Sequence, residues 1–261
     1  MATQLSSADI ERLDPYQLMA VLGKRVIHPG GRRSTEELLA GGDFQPAHEV
    51  LDVGCGVGTT AIQVARRFGS KVTAVDVSRL MLERAEANVQ HAGLAKRLTV
   101  EYGDIRALAY DANHFDRVLA EAVTMFVERP RAARELVRVC KPGGRVLTTE
   151  VFWRKPPSTE ARQVFLFEVG PGMQIGGQDD WVQLYRNSGL ECVRSISGPF
   201  EMLTPQGFLA DEGLVNSMAL MGRALTRAAY LKNLLWLMPR LQRAAPYLGY
   251  IALTGVKPKP N

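Results

Sequence analysis

From residue 49 onward, short apolar runs alternate with stretches whose apolar residues recur every three or four positions. Glu49–Gly54 predicts a buried strand. Ala61, Ile62, Val64, Ala65 and Phe68 then fall on one face of a helix. Lys71–Asp76 is β-branched, ends on an acid and predicts a second strand. Ser78 is placed to cap a helix with Leu82, Ala85 and Val89 on one face, closed by Gly93. Leu98–Tyr102 and Phe115–Glu121 predict the third and fourth strands. Pro130 opens a helix that runs to Val139, Lys141–Gly144 (KPGG) predicts a turn, and Arg145–Glu150 a fifth strand. Five strands separated by helices imply a parallel, doubly wound α/β sheet. Such sheets bind ligands at the carboxyl ends of their strands. Here those ends are Gly54 onward, Asp76, Gly103–Asp104, Glu121 and Glu150.

The rhythm changes after residue 150. Residues 154–177 mix prolines and glycines with an apolar patch at Val164–Phe167. A helix is predicted over Asp180–Asn187, a sixth strand near Glu191–Ile196, helices across 203–244 and a last strand at Tyr250–Val256. Helices before residue 49 and within 203–244 lie outside the alternation, and the expected place for both is over the strand ends. The predicted organisation is a helical cap segment (1–48), a core (49–202 and 246–257) and a helical cap insertion (203–245). Within the first segment, Ser34 is expected to cap a helix.

Composition narrows the class. The chain has 261 residues, 46% of them hydrophobic and 23% charged, as in a soluble globular protein. The net charge of +5 comes from scattered Lys and Arg rather than blocks. The three cysteines, Cys55, Cys140 and Cys192, form no CxxC pair or metal-ligand spacing, so no metal is expected and a reducing cytoplasm is. The N-terminus lacks a basic stretch followed by an apolar one, and no uncharged run reaches the roughly 18 residues of a membrane span.

The glycine run VLDVGCGVGTT (Val50–Thr60) joins the first strand to its helix. A dinucleotide fingerprint is G-x-G-x-x-G, but here Thr59 stands in the third glycine's place. A phosphate loop needs a lysine, and none is present. Asp76 ends the second strand, where an acid can accept hydrogen bonds from both ribose hydroxyls. Together these features suit a nucleoside with a free ribose and no phosphate to cradle.

The chain resembles the class I S-adenosylmethionine-dependent methyltransferases over roughly residues 45–200 and the final strand. VLDVGCGVGTT is similar to their first motif, and AVDVS (Ala74–Ser78) to the segment carrying a ribose-binding acid and an adenine neighbour. YGDI (Tyr102–Ile105), FDRVLAEAVTMFV (Phe115–Val127) and VCKPGGRVLTTE (Val139–Glu150) follow in the family's order. The resemblance implies S-adenosyl-L-methionine as cofactor. It also implies a Rossmann-like, seven-stranded sheet with its last strand antiparallel. By the resemblance, Gly54, Cys55, Gly56, Gly58 and Thr59 wrap the methionine part, while Asp76 holds the ribose. Val77, Met81 and Ile105 would pack on the adenine and Asp104 would accept its amino group. Glu121, Ala122 and Phe126 would lie beside the methionine. LGKRVIHPGGRRSTEELL (Leu22–Leu39) further resembles the approach segment of quinone-, sterol- and tocopherol-methylating enzymes. That likeness implies that the segment folds over the cofactor, with Tyr16 closing it and Arg25 paired to a carboxylate.

The candidates for chemistry are Glu121, His28 and Glu150. Glu121 would hold the cofactor's amino group or face the acceptor; His28 is the histidine best placed to act as a base; Glu150 would face the acceptor. The sequence after the fourth strand is AEAV rather than the [DNS]-P-P-[YF] of enzymes that methylate base amino groups, and nucleic acid is not an expected partner. The expected partner is a small apolar acceptor, received by a cap rich in Val164–Phe167, Phe208, Met218, Met221 and Leu234–Met238. A homodimer face in the cap and contact of Arg223, Arg227, Lys232, Arg240 and Arg243 with an anionic membrane are further candidates. A non-catalytic cofactor-binding protein and a lipid cyclopropane-type transferase share the same motifs.

Overall fold

The structure is a computed structural model and describes residues 5–202 and 204–260. Residues 1–4 and Leu203, the first residue of the predicted insertion, lie outside the described residues. The elements run in chain order as helices α1 (Ser7–Glu11), α2 (Pro15–Leu22) and α3 (Gly31–Ala40), then strand β1 (Glu49–Val53), α4 (Thr59–Phe68), β2 (Lys71–Asp76), α5 (Arg79–His91), β3 (Leu98–Tyr102) and β4 (Phe115–Glu121). The second half comprises α6 (Arg129–Val139), β5 (Cys140–Trp153), α7 (Thr159–Gln163), α8 (Gln178–Asn187), β6 (Glu191–Pro199), α9 (Pro205–Leu225), α10 (Ala228–Ala244) and β7 (Leu248–Val256).

The strands form one sheet in the order β3-β2-β1-β4-β5-β7-β6. The first five pair in parallel, and β7 runs antiparallel between β5 and β6. The order reverses between β1 and β4, so the crevice of a doubly wound sheet opens at the ends of those two strands. Central strands covered on both faces should read as unbroken apolar runs. Val50, Leu51 and Val53 of β1 and Val118, Leu119 and Ala120 of β4 are all buried. On one face Leu38 and Leu39 of α3 and Ala61, Val64 and Ala65 of α4 pack on Val50, Leu119, Leu147 and Ala252. On the other, Ala132, Ala133 and Leu136 of α6 and Trp181 and Tyr185 of α8 join a core that also takes in Leu18, Leu22, Leu237 and Leu241 of the outlying helices.

Three local expectations are corrected. Ser34 lies inside α3, whose N-cap is Gly30 at φ 80°, and its hydroxyl donates to Pro29 O (2.8 Å) and Gly31 O (2.9 Å). The left-handed glycine starts the helix earlier than a serine cap would. KPGG does not separate β5 from α6: the strand begins at Cys140 opposite Phe115, and the extra residues bulge before Arg145 pairs with Arg117. The N-terminal segment is not all cap, because α3 belongs to the helical layer against β5 and β7, where its leucines are buried.

Residues 154–177, unreadable from their pattern, hold the short α7 and a π-helical turn at Val164–Val169. The helical stretch predicted across 203–244 consists of two helices, α9 and α10. The first bends at Gly213 (φ 72°, ψ 165°), a conformation open to glycine. No helix among the described residues is long and apolar enough to cross a membrane.

Candidate active site

A cleft of about 470 Å³ opens at the carboxyl ends of β1, β2 and β4. Every sequence-predicted site residue lines it except Gly58 and Glu150. Gly58 instead caps α4 from beneath, with φ 80°. The other two glycines have distinct tasks. A Cβ on Gly54 would sit 2.4 Å from Val123, so only glycine admits the β4 loop at that point. A Cβ on Gly56, whose φ is 53°, would meet nothing within 4 Å, so that backbone faces the open cleft.

Asp76 stands at the end of β2 and is nearly buried. Its carboxylate accepts from Gly56 N–H (3.0 Å) and Ser78 N–H (2.8 Å). Burial raises its pKa, and those N–H groups oppose the rise. Val77 projects into the cleft with 55% exposure, while Met81 and Ile105 form apolar walls. Asp104 is engaged on both oxygens by Arg106, whose hydrogen bonds hold its pKa low. With the Arg106 N–H also on Oδ1 (2.9 Å), each oxygen already accepts twice, so an incoming donor would have to displace part of the Arg106 clamp.

At the end of β4, Glu121 joins three elements. Its Oε1 accepts from Thr60 Oγ1 of α4 (2.6 Å) and its Oε2 from Thr35 Oγ1 of α3 (3.0 Å). His28 Nε2 lies 3.6 Å from that Oε2 and 3.0 Å from Thr35 Oγ1. Next along the chain, Ala122 is held at φ 59° with its N–H on Thr149 O (2.5 Å). A non-glycine residue in this region is strained, and such positions cluster at functional sites. Phe126 meets Tyr16 edge to face, with ring centroids 5.2 Å apart.

Asp52, missed in the sequence because it reads as one more strand residue, also lines the cleft with Oδ2 buried and unpartnered. Burial, with Glu121 and Asp76 nearby, pushes it up to about 8. Asp52, Asp76 and Glu121 thus make a site rich in buried acid. Its two rim arginines are already committed, Arg106 to Asp104 and Arg25 to Glu212. Such a site favours a ligand that carries positive charge. Burial pushes the Cys55 thiol well up, which keeps it protonated and unreactive.

Two candidates serve otherwise than expected. Glu150 is fully buried away from the cleft, where Oε1 accepts Thr124 N–H (3.2 Å) and Oε2 has no partner. Burial pushes its carboxyl up to about 8. It braces the turn that carries Phe126 and does not face an acceptor. Arg25 does not offer its planar fork to a ligand: Nε bonds Glu212 Oε2 (3.1 Å) and Nη2 bonds Glu212 O (2.6 Å). Its contribution to the cleft includes a carbonyl that accepts from Thr59 Oγ1 (2.6 Å).

The cap anchors through acids that the sequence reading did not single out. Glu212 also accepts from Arg25 N (2.9 Å) and Val26 N (3.1 Å), and Asp211 from Arg32 N (2.8 Å). Lys24, with no exposed side-chain surface, lies 3.5 Å from Glu212 and 3.6 Å from Asp211. These contacts fix the two ends of the stretch that carries His28. Beyond Tyr16, Ile27, Val169 and Met173 the cleft meets a small apolar slot lined by Phe165, Phe200, Met202, Leu237 and Leu241. Of the cap residues expected to receive an acceptor, only Phe165 and Leu237 reach this slot. Met218, Met221, Leu235 and Trp236 face outward instead.

Comparison with known proteins agrees with this geometry. The methyltransferase domain family matches residues 50–144. Methyltransferase GfsG of Streptomyces halstedii is 30% identical over 244 residues, covering 87% of this chain and 81% of that protein. The 27-O-demethylrifamycin SV methyltransferase of Amycolatopsis mediterranei is 31% identical over 162 residues, covering 61% of this chain and 60% of its own. Among solved structures, phosphoethanolamine N-methyltransferase 2 of Haemonchus contortus, in complex with phosphomonomethylethanolamine and S-adenosylhomocysteine, superposes with a TM-score of 0.75 at 22% identity. That match covers 98% of this chain and 59% of the other and concerns the fold. The glycine loop, the acid-lined cleft and the relatives agree: the chain belongs to the class I S-adenosylmethionine-dependent methyltransferases.

Proposed function

We propose that this methyltransferase acts on a small acceptor with an apolar body and a hydroxyl, or another weakly acidic group, as the nucleophile. The observation that carries the proposal is the junction of two unlike surfaces at Tyr16. On one side lie His28 and Glu121, and on the other the slot of Phe165, Met173, Met202 and Leu237. An apolar body placed in the slot would bring its reacting group toward the acid and base.

The cleft fits the cofactor in its own residues. Open space over Gly56, a buried acid at Asp76 for a ribose diol and apolar walls at Val77, Met81 and Ile105 suit a flat ring on a sugar. Glu121 and the unpartnered oxygen of Asp52 suit the positive charge of an ammonium or sulfonium. When bound, S-adenosylmethionine supplies an electrophilic methyl group. The chain then has to align the acceptor, exclude water and manage one proton. His28 takes the acceptor's proton at Nε2 as the acceptor displaces the Thr35 hydroxyl from that nitrogen, and the Glu121 carboxylate stabilises the imidazolium that results. Tyr16, edge to face with Phe126, closes the cleft against water. The three cysteines are free, which supports a cytoplasmic setting.

The relative from Amycolatopsis acts on 27-O-demethylrifamycin SV, as its name states, and it supports an oxygen as the accepting atom. The test is a screen with methyl-tritiated cofactor against prenylated phenols, hydroxylated polyketides, sterols and phosphoethanolamine. Transfer to hydroxyls of the apolar compounds is expected. Transfer to phosphoethanolamine alone would overturn the proposal.

A further inference from the structure

Beyond the bend at Gly213, α9 presents an apolar face to the outside. Leu214, Met218, Met221 and Leu225 are exposed by 66%, 66%, 66% and 71%, with Val215 beside them at 84%. Their spacing of four, three and four residues keeps them on one side of the helix, as in a coiled-coil seam. The opposite side buries Leu220 and Ala224 into the protein. From Gly213 to Gly222 no residue is charged. On α10, Leu231 and Leu235 are also exposed, at 41% and 67%. None of these side chains lines the cleft or its slot.

We infer that this face pairs with the same face of a second copy of the chain, α9 against α9 about a two-fold axis. Three observations favour a second copy. First, the seam is uncharged and nearly uniform along its length, so a two-fold operation sets like apolar residues together with no charge to desolvate. Second, the area is sufficient. Burial of one Leu, Val or Met removes about 60–120 Å² of apolar surface, at about 25 cal/mol per Å². At their observed exposures the seven outward residues of α9 and α10 present about 280–550 Å² per copy. Two copies therefore bury up to about 1,100 Å², which reaches the lower end of specific interfaces.

Third, the charges suit a lipid surface poorly. An interfacial helix sets free Lys and Arg beside its apolar face. Here Arg223 donates to Leu22 O (2.5 Å), Arg227 to Leu5 O, and Lys232 pairs with Glu11 at 3.0 Å. Farther along, Arg240 and Arg243 face Glu168 (2.7 Å) and Glu160 (3.4 Å). The basic positions that the sequence offers to an anionic membrane are thus bonded within the fold. Pairing through α9 uses no residue of the cleft wall and does not depend on which acceptor the cleft receives.

The test is the solution mass of the full chain by size exclusion with light scattering over a wide dilution series. A dimer, at twice 28.8 kDa, is expected. The double variant Met218→Lys/Met221→Lys is expected to run as a monomer with cofactor affinity within about threefold of wild type, because both side chains face outward in the single chain and neither lines the cleft. Met218→Leu/Met221→Leu is expected to retain the dimer. A wild-type chain that stays monomeric, or a dimer that survives the lysines, would overturn the proposal. So would a monomer that co-sediments with phosphatidylglycerol vesicles and loses that binding in the lysine variant, since the face would then belong to lipid.

Discussion

The Glu212 carboxylate accepts the Val26 amide at 3.1 Å, joining positions 186 residues apart in sequence. Through this bond and its neighbours, the bend of α9 holds the chain segment that brings His28 to Glu121. Lys24 is sealed beneath the same carboxylate. Loss of one partner from a buried ion pair costs about 3–5 kcal/mol, because the other charge is left uncompensated. Glu212→Ala should therefore lower unfolding stability by about that much in a denaturant titration and weaken cofactor binding. Lys24→Met should cost less, because Arg25 still pairs with Glu212 and only Asp211 loses its cation. A loss below about 1 kcal/mol in both variants would show that the anchor is dispensable.

Asp76 gives a cleaner separation of binding from folding. Its carboxylate makes two hydrogen bonds to loop amides and faces the cleft. Hydrogen bonds to a charged group contribute about 1.5–3 kcal/mol each. Asp76→Ala should weaken S-adenosylmethionine binding by about tenfold to a hundredfold or more in calorimetry. Affinity within threefold of wild type would remove Asp76 from the ribose site.

The parallel core could be read from the sequence because β1 to β4 are short runs bounded by a turn or cap, and β5 holds one such run at Arg145–Glu150. The position of the cleft could be read too, since Gly54, Gly56, Asp76, Asp104 and Glu121 all stand at strand ends that topology brings together. The acceptor side could not. Met173, Phe200 and Leu241 carry no periodic signal that distinguishes a pocket wall from ordinary core. Nor does a pattern of apolar positions say which side of a helix faces outward: Met218 and Met221 look like pocket residues until Leu220 is seen to face the core. The acids Asp211 and Glu212 read as solvated helix surface, and only their distant partners at Lys24, Arg25 and Arg32 explain their burial. This changes what a deletion would report. Removal of 208–238 would strip the Lys24 partners and Leu220 along with the slot, and so would unfold the cap instead of isolating acceptor binding.

Glu150 should give the fold a pH dependence. Its folded pKa, about 8, lies above the roughly 4.3 of an unfolded glutamate. Between those values the folded chain binds the extra proton, so this group's contribution is fully present below about pH 4 and is lost as pH rises through about 8. Glu150→Gln keeps a neutral side chain and removes the ionisation. Relative to wild type, its stability should therefore rise by about 1 kcal/mol or more between pH 5 and pH 8. Parallel stability–pH curves for the two proteins would show that Glu150 ionises normally.

His28 and Glu121 share a network but should fail differently. His28→Asn removes the base and keeps a polar side chain near Thr35. General-base loss typically costs about a hundredfold to ten-thousandfold in turnover. Such a fall in kcat is expected for a hydroxyl acceptor, with cofactor affinity within about threefold. Glu121→Gln retains acceptor and donor atoms for Thr35 and Thr60 but removes the negative charge. It should weaken cofactor binding and also lower kcat, because the imidazolium loses its counter-charge 3.6 Å away. Calorimetry with S-adenosylmethionine, followed by steady-state kinetics on the acceptor from the labelled screen, separates the two. If Glu121→Gln matched wild type in both, the carboxylate would be a strand-end brace for Thr35 and Thr60, and His28 would act without it.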